Sequence, residues 1–297
     1  MTGNWVVTTG KAEVNTKHIK YTPFRVKNRL GAEENLSAIV KSNIDFESGD
    51  VSFKVKVNEP FANCQILFNY DSSPLVAVGI NAGDGAYGIA KLDSNNKVES
   101  LSSTGLSETI SIKTDIDVKI SVSGSFIELY INSILVATTY ERINKSQIAV
   151  FLSSDDEVIL KEFAVTSKKP KAFVVMQFTE EYNELYREVI KPIVEEYGIE
   201  IERADEVHTT NPILQDIIQS IRTSSIIIAD ITPNNPNVFY EVGYAHAINK
   251  PTILLCDRKR EKLPFDISGF RTLFYDNTIS GKSAVEKSLR KFLEAIF

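Results

Sequence analysis

One stretch constrains this chain more than any other. From Ser225 to Cys256 it reads SIIIADITPNNPNVFYEVGYAHAINKPTILLC. An apolar run (Ile226, Ile227, Ile228, Ala229) is followed by a polar loop from Asp230 to Asn235, a helical segment from about Pro236 to Ile248, and a second apolar run at Thr252 to Leu255. That order is a βαβ unit, which commits its neighbourhood to a parallel sheet. Asn235 suits the N-cap, and Pro236 suits the first helical position, where its missing N–H costs nothing. The N–H groups of Asn237, Val238 and Phe239 are then expected to face the loop and to welcome an anion.

One carboxylate, Glu241, sits inside this helix. At 100° per residue it falls about 60° from Val238 and about 40° from Ala245, both on the stripe that packs on the sheet. A carboxylate there is costly to desolvate unless it is paired or functional. Two readings stand side by side: a capping or salt-bridging glutamate, or the reactive group of a cleft at the strand carboxyl ends, where open parallel sheets hold ligands.

At 297 residues the chain has room for two domains. Its net charge is −6, with 17 basic and 20 acidic residues up to Lys168 and 16 and 19 beyond. Neither half carries the basic excess that grips nucleic-acid phosphates, so no nucleic-acid partner is expected. Cys64 and Cys256 lie in separate halves inside apolar runs, as buried free thiols do. His18, His208 and His246 show no metal-ligand spacing. The first residues, MTGNWVVTTGK, lack a basic segment leading into an apolar core, and no stretch reaches the ~18 apolar residues of a membrane span. No membrane partner is expected, and the cytoplasm is the expected location.

Residues 1–168 follow a period of two: DVSFKVKV (50–57), DVKISV (117–122) and FIELYI (126–131) alternate between short turns such as Glu47-Ser48-Gly49-Asp50 and Ser123-Gly124-Ser125. An antiparallel β-sandwich is expected. The strand order and the segment FIELYINSILVATTY, with Asn132 marking its turn, resemble laminin-G and concanavalin-like jelly rolls. The acidic turns at Asp71, Asp84 and Asp93 suit calcium or sugar, or are simply solvated. Lacking a paired-glutamate strand motif, the sandwich reads as a sensing, interaction or oligomerisation module with a protein or carbohydrate ligand.

Thr166 to Lys171 is polar, basic and proline-bearing, a linker signature. Beyond it the period changes. Over residues 171–297 the pattern predicts strands at Ala172–Phe178, Ile199–Arg203 and Leu273–Tyr275 beside the two already named. Helices are expected over Glu180–Tyr197, kinked at Pro192, from Asn211-Pro212 onward with Ile213, Leu214, Ile217, Ile218 and Ile221 as its core stripe, and over Ala284–Ile296. Five strands alternating with helices make a flavodoxin-like α/β domain of about 130 residues. Its strand ends collect Met176, Gln177 and Phe178; Arg203, Asp205 and Glu206; Asp230, Thr232, Asn235, Asn237 and Val238; and Asp257 and Arg258. Taken singly, Arg203 pairs with Glu206 or Glu202, Asp230 caps its loop, and Gln177 is a turn residue.

AFVVMQFTEEYNELYREVIKP, IERADEV, SSIIIADITPNNPNVFYEVGYAHAINKPTILL and LPFDISGFRTLFYD resemble the bacterial nucleoside 2-deoxyribosyltransferase-like and TIR-like nucleotide-binding domains. The resemblance implies that Glu241 matches the glutamate that attacks or stabilises an anomeric carbon. It implies a nucleotide N-glycosidase, with NAD as substrate, no resident cofactor and no metal. Asp230 would meet sugar hydroxyls, and Phe178 or Tyr244 would stack on a ring. A homo-oligomer acting in antiviral defence is the implied setting. Deoxyribosyl transfer and nucleotide-signal binding without cleavage are the alternatives.

Overall fold

The computed structural model describes residues 3–27, 33–95, 97–206, 210, 212–260 and 262–296. Asn211 and His208 lie outside these. The chain divides into two compact units, the break in sequence falling between Lys168 and Lys169.

The first unit is a sandwich of two seven-stranded antiparallel sheets. One runs in the order Trp5–Thr9, Ala38–Phe46, Ser146–Ser153, Asn63–Phe68, Leu75–Ile80, Tyr87–Leu92, Val98–Thr104, and the other runs from Ile134–Tyr140 through Gly49–Val57 to Ala12–Val14. Alternation does what its period requires: along Gly49–Val57 every second residue is buried. Ile120, Leu129 and Val55 of one sheet close a core with Val78, Ile66 and Val150 of the other. Asn132 and Ser133 both take positive φ (49° and 67°), the two-residue turn whose twist matches the strands it joins, Phe126–Ile131 and Ile134–Tyr140. Asp71 pairs with Lys41, and Asp93 accepts the N–H groups of Asn95 and Lys97. No group of three or more His, Cys, Asp or Glu among the described residues is placed to hold a metal ion.

The second unit, Lys169–Phe297 together with Ser123–Ser125, is built around an all-parallel sheet of order Glu200–Arg203, Lys171–Val175, Ile226–Asp230, Thr252–Asp257, Thr272–Tyr275. In chain order the strands are arranged 2-1-3-4-5, so the order reverses between the first and third strands, where a crevice opens. Residues 172–175 and Ile226–Asp230, in the middle of the sheet, are buried at every position, as continuous apolar runs require when both faces are covered. The first and last helices share a core cluster with Val174, Ile228 and Leu255. Helices Ile213–Thr223 and Pro236–Ala247 pack on one another and on the first strand. Among the described residues, no helix is long and apolar enough to cross a membrane.

Three boundaries differ from expectation. The first strand ends at Val175, so Met176 to Phe178 leave the ladder and are free to shape a surface. The expected kink takes the form of a π turn over Tyr186–Ile190 between helical segments Glu180–Leu185 and Lys191–Glu196. It lies directly ahead of Pro192, which has no N–H to offer the preceding turn. The closing helix begins at Ile279, because the Thr278 hydroxyl oxygen accepts the Gly281 N–H at 3.0 Å and caps it. Cys64 and Cys256 are buried free thiols.

Asn69 tests the sandwich most directly. Fully buried at a φ of 55°, it donates from Nδ2 to the carbonyls of Pro74 (3.1 Å) and Arg142 (2.9 Å) and accepts the Asn144 N–H at 2.8 Å. Asn69→Ala strands three partly buried backbone groups, and urea unfolding is expected to show a loss of about 1–3 kcal/mol. Asn69→Ser, which keeps one hydrogen-bonding atom, is expected to lose less.

Candidate functional site

The loop after the third strand is anchored before the helix begins. Asp230, 1% exposed, accepts the Tyr275 hydroxyl at 2.7 Å through Oδ2 and the Thr232 N–H at 2.9 Å through Oδ1. The Thr232 hydroxyl accepts the Asp257 N–H at 2.8 Å. Arg260 donates from Nη1 to the carbonyls of Ile231 and Thr232 at 2.6 and 2.8 Å. These bonds tie the carboxyl ends of the third, fourth and fifth strands together. Burial pushes the Asp230 carboxyl up to about 6, although Tyr275 and Thr232 pull it the other way.

Asn235 caps the helix as its position in sequence suggests, its Oδ1 accepting the Asn237 N–H at 3.0 Å. The Phe239 N–H bonds the Asn235 carbonyl at 3.2 Å. Two of the three N–H groups expected to welcome an anion are therefore already satisfied, one by the cap and one by the first helical hydrogen bond.

A cavity of about 590 Å³ opens beside the carboxyl end of the first strand, under the starts of helices Ile213–Thr223 and Pro236–Ala247. Met176, Gln177, Phe178, Asp205, Asn235, Asn237 and Val238 line it together with Glu241. Glu241 is half-buried, and no hydrogen bond or ion pair reaches it from the described residues. Loss of hydration alone raises its carboxyl to about 7. The capping or salt-bridging alternative therefore finds no partner here, while a group that changes charge near neutral pH faces an open cavity.

Arg203, Asp230, Thr232 and Tyr244 do not line this cavity. Asp230 and Thr232 are consumed by the strand-end anchor. Arg203 is 7% exposed, and its guanidinium grips Asp205 in a bidentate pair at 2.6 and 2.5 Å, while its backbone N–H donates to the Glu206 carboxylate at 3.3 Å. Its Nη1 also donates to Asn183, and its guanidinium lies 4.5 Å from the Tyr186 ring and 5.2 Å from the Phe178 ring. Arg203 thus positions two lining residues from behind, with its own charge spent. Glu206 accepts the Tyr186 hydroxyl, and Glu202 pairs with Lys171.

The sequence pattern does not single out Ile213, Leu214, Asp216, Ile217 and Tyr240 as ligand-facing, yet they line the cavity as well, with Val174 and Ala204. Ile213 and Leu214 carry the spacing of a core stripe, yet Ile213 is 78% exposed. They occupy the first turn of a helix that overhangs the strand ends, a placement that a proline-led helix start signals. With Phe178 and Tyr240, they give the mouth of the cavity an exposed apolar rim.

A sequence model of the nucleoside 2-deoxyribosyltransferase family matches residues 171–284, which hold all five parallel strands and the cavity. This match supports nucleoside glycosyl transfer or nucleotide binding by the second unit, and at a coarse level an enzyme of the glycosyl-transferase or glycosidase kind. No curated protein matches the chain. Among solved structures, the N-terminal region is similar to the carbohydrate-binding module CBM66 from Bacillus subtilis, at 13% identity and a TM-score of 0.44, over 56% of this chain and 97% of that one. A Bacillus subtilis protein of unknown function with a galectin-like fold matches at 10% identity and 0.41, over 55% and 89%. The laminarinase catalytic domain from Thermotoga maritima MSB8 matches at 10% and 0.39, over 53% and 80%.

Tyr275→Phe removes one hydrogen bond from a buried carboxylate. Because the folded Asp230 carboxyl sits above its ordinary value, it is protonated below about pH 6 and charged above it. Thermal unfolding is expected to show a loss of about 1–3 kcal/mol at pH 8, where the acceptor is ionised, and a smaller loss at pH 5.

Proposed function

We propose that the second unit cleaves the N-glycosidic bond of a nucleotide, with Glu241 as the catalytic carboxylate and NAD as the substrate. The observation that carries this reading is a single one: a partly dehydrated, unpartnered glutamate on the wall of a cavity at the switch point of a parallel sheet. Withdrawing a base from an anomeric carbon builds positive charge on the sugar. A fixed carboxylate beside that carbon either stabilises the cation or captures it as a glycosyl ester. Nicotinamide leaves as a neutral base with the bonding electron pair, so the reaction needs no strong general acid, and water then completes the hydrolysis at the same carbon. The rim of Phe178, Ile213, Leu214 and Tyr240 suits the flat face of a base, and Asn235, Asn237 and Gln177 offer amides to sugar hydroxyls. In this reading the sandwich senses a ligand or drives assembly into a homo-oligomer, and NAD loss serves antiviral defence.

A second reading has its own support. The matched family points to transfer of a 2-deoxyribosyl group between bases, with the same glutamate forming the glycosyl intermediate and a second base in place of water. Incubation with a 2′-deoxynucleoside and a free base distinguishes the two: base exchange, with NAD untouched, supports transfer.

Glu241→Gln keeps the shape of the side chain and removes its charge. With full-length protein, nicotinamide release from NAD followed by chromatography is expected to fall by at least about a thousandfold; turnover within tenfold of the parent contradicts the role. Since the ionised form is the one that acts, parent activity is expected to rise as pH increases through about 7. The raised carboxyl also means that Glu241 lowers stability as pH rises from its unfolded value through about 7. The Gln variant is therefore expected to be more stable than the parent at pH 8, by about 1–2 kcal/mol, and indistinguishable at pH 4.

A further inference from the structure

The cavity that holds Glu241 leaves one part of the proposed substrate without a place. Among the described residues its charged lining groups are Asp205, Asp216 and Glu241, with no lysine or arginine. Asp205 is already paired with Arg203. Such a wall tolerates a neutral ribose or a cationic pyridinium, while a diphosphate entering it meets carboxylates and no counter-charge. At the helix start, the Asn237 and Phe239 N–H groups are already engaged within the chain.

On the other side of the same loop lies an open basin of about 940 Å³ with the opposite character. Arg260 and Lys262 are its only charged lining residues among those described. The loop and helix start form the wall between the two hollows. Thr232 and Asn234 face the basin, while Asn235 and Asn237 face the cavity. Further along, Phe239 lies 5.5 Å beneath the Arg260 guanidinium. Glu241, two residues later and therefore about 160° around the helix, lines the cavity. From Thr232 to Asn235 the chain spans at most about 10 Å, within the reach of a ribose and two phosphates.

The basin is also equipped for a base. Phe265, on the short turn Phe265–Ile267 after Pro264, is 90% exposed at its edge. The backbone beneath it is held: its carbonyl accepts both the N–H and the hydroxyl of Ser268, at 3.2 and 2.7 Å. Arg260 is fixed by bonds to the carbonyls of Ile231, Thr232 and Lys262, which leaves Lys262, itself exposed, as the movable cation. A flat apolar ring standing in water beside two cations is matched by an aromatic base that carries phosphates.

We infer that this basin is the subsite for the adenosine diphosphate half of the substrate, with the diphosphate on Arg260 and Lys262 and the adenine on Phe265, while the nicotinamide riboside half occupies the Glu241 cavity. Among its described residues the site is bipolar, acidic where the substrate is cationic and basic where it is anionic. This inference rests on the NAD reading given above, and its test does not depend on turnover.

The probe is ADP, titrated calorimetrically into full-length protein. Binding is expected in the parent and in Glu241→Gln alike. It is expected to weaken at least tenfold in Lys262→Glu and in Phe265→Ala, and to weaken as salt is raised. Both substituted side chains are exposed, and unchanged melting temperatures verify that the variants fold. ADP is further expected to compete with NAD for the parent. Absence of ADP binding to the parent, or equal binding by all four proteins, overturns the subsite. ADP binding that does not compete with NAD overturns its assignment to the substrate and points to free nucleotide instead. Persistent NAD turnover in Glu241→Gln sinks the catalytic role while leaving the ADP titration to stand or fall by itself.

Discussion

The hydrogen bond from the Tyr275 hydroxyl to the buried Asp230 carboxylate is the constraint on which the second unit's chemistry depends. It joins the last residues of the third and fifth strands, and through Thr232 and Asp257 it draws in the fourth. A polar loop leaving a parallel sheet has many conformations, and each unpaired buried group in it costs free energy. Here the loop leaves with both of its first turns bonded, and Arg260 holds the carbonyls of Ile231 and Thr232 from outside. The cap at Asn235 and the helix bearing Glu241 therefore start from a fixed point. The Glu241 cavity and the Arg260 basin both draw lining residues from this one segment, so the anchor sets the spacing between them.

Against that rigid frame, Glu241 is the group that is not satisfied. Evolution of stability alone favours a leucine or glutamine on the border of an apolar stripe, since a partly dehydrated carboxylate without a partner opposes folding at neutral pH. The neighbouring acid Asp205 shows the contrast: its charge is met by a bidentate guanidinium, whose faces are in turn covered by Tyr186 and Phe178. Two carboxylates of one cavity are thus treated oppositely. One is a structural ion pair, and the other keeps a carboxyl near neutrality exposed to whatever enters. That asymmetry, more than the cavity's size, is what the proposed chemistry rests on.

Much of this was legible before any coordinates. The Asn235 cap, the helix from Pro236, the parallel sheet and the period change near Lys168 all depend on residues within a turn or a strand of one another. Periodicities and caps report those directly. Misreadings came where distant segments compete. Ile213 and Leu214 have the spacing of buried residues but stand in a first turn that projects past the sheet, where they stay exposed. Arg203 was grouped with the ligand-facing residues, but Asp205 and Asn183 hold it behind the wall. Asp230 was expected to face a sugar, and its oxygens are spent on Tyr275 and Thr232, the first of which lies 45 residues away in sequence.

By itself, the sequence determined the two-unit plan, the sandwich and the α/β sheet, and the position of a carboxylate beside the buried face of one helix. Those follow from side-chain order alone, because a helix or strand fixes the angle between near neighbours whatever surrounds it. Tertiary structure decided the rest: which acids are neutralised, which N–H groups stay free, and on which side of one loop the positive and negative linings fall. Desolvation and pairing are properties of a place in space. That place is built by chain segments that meet only after the strands have assembled.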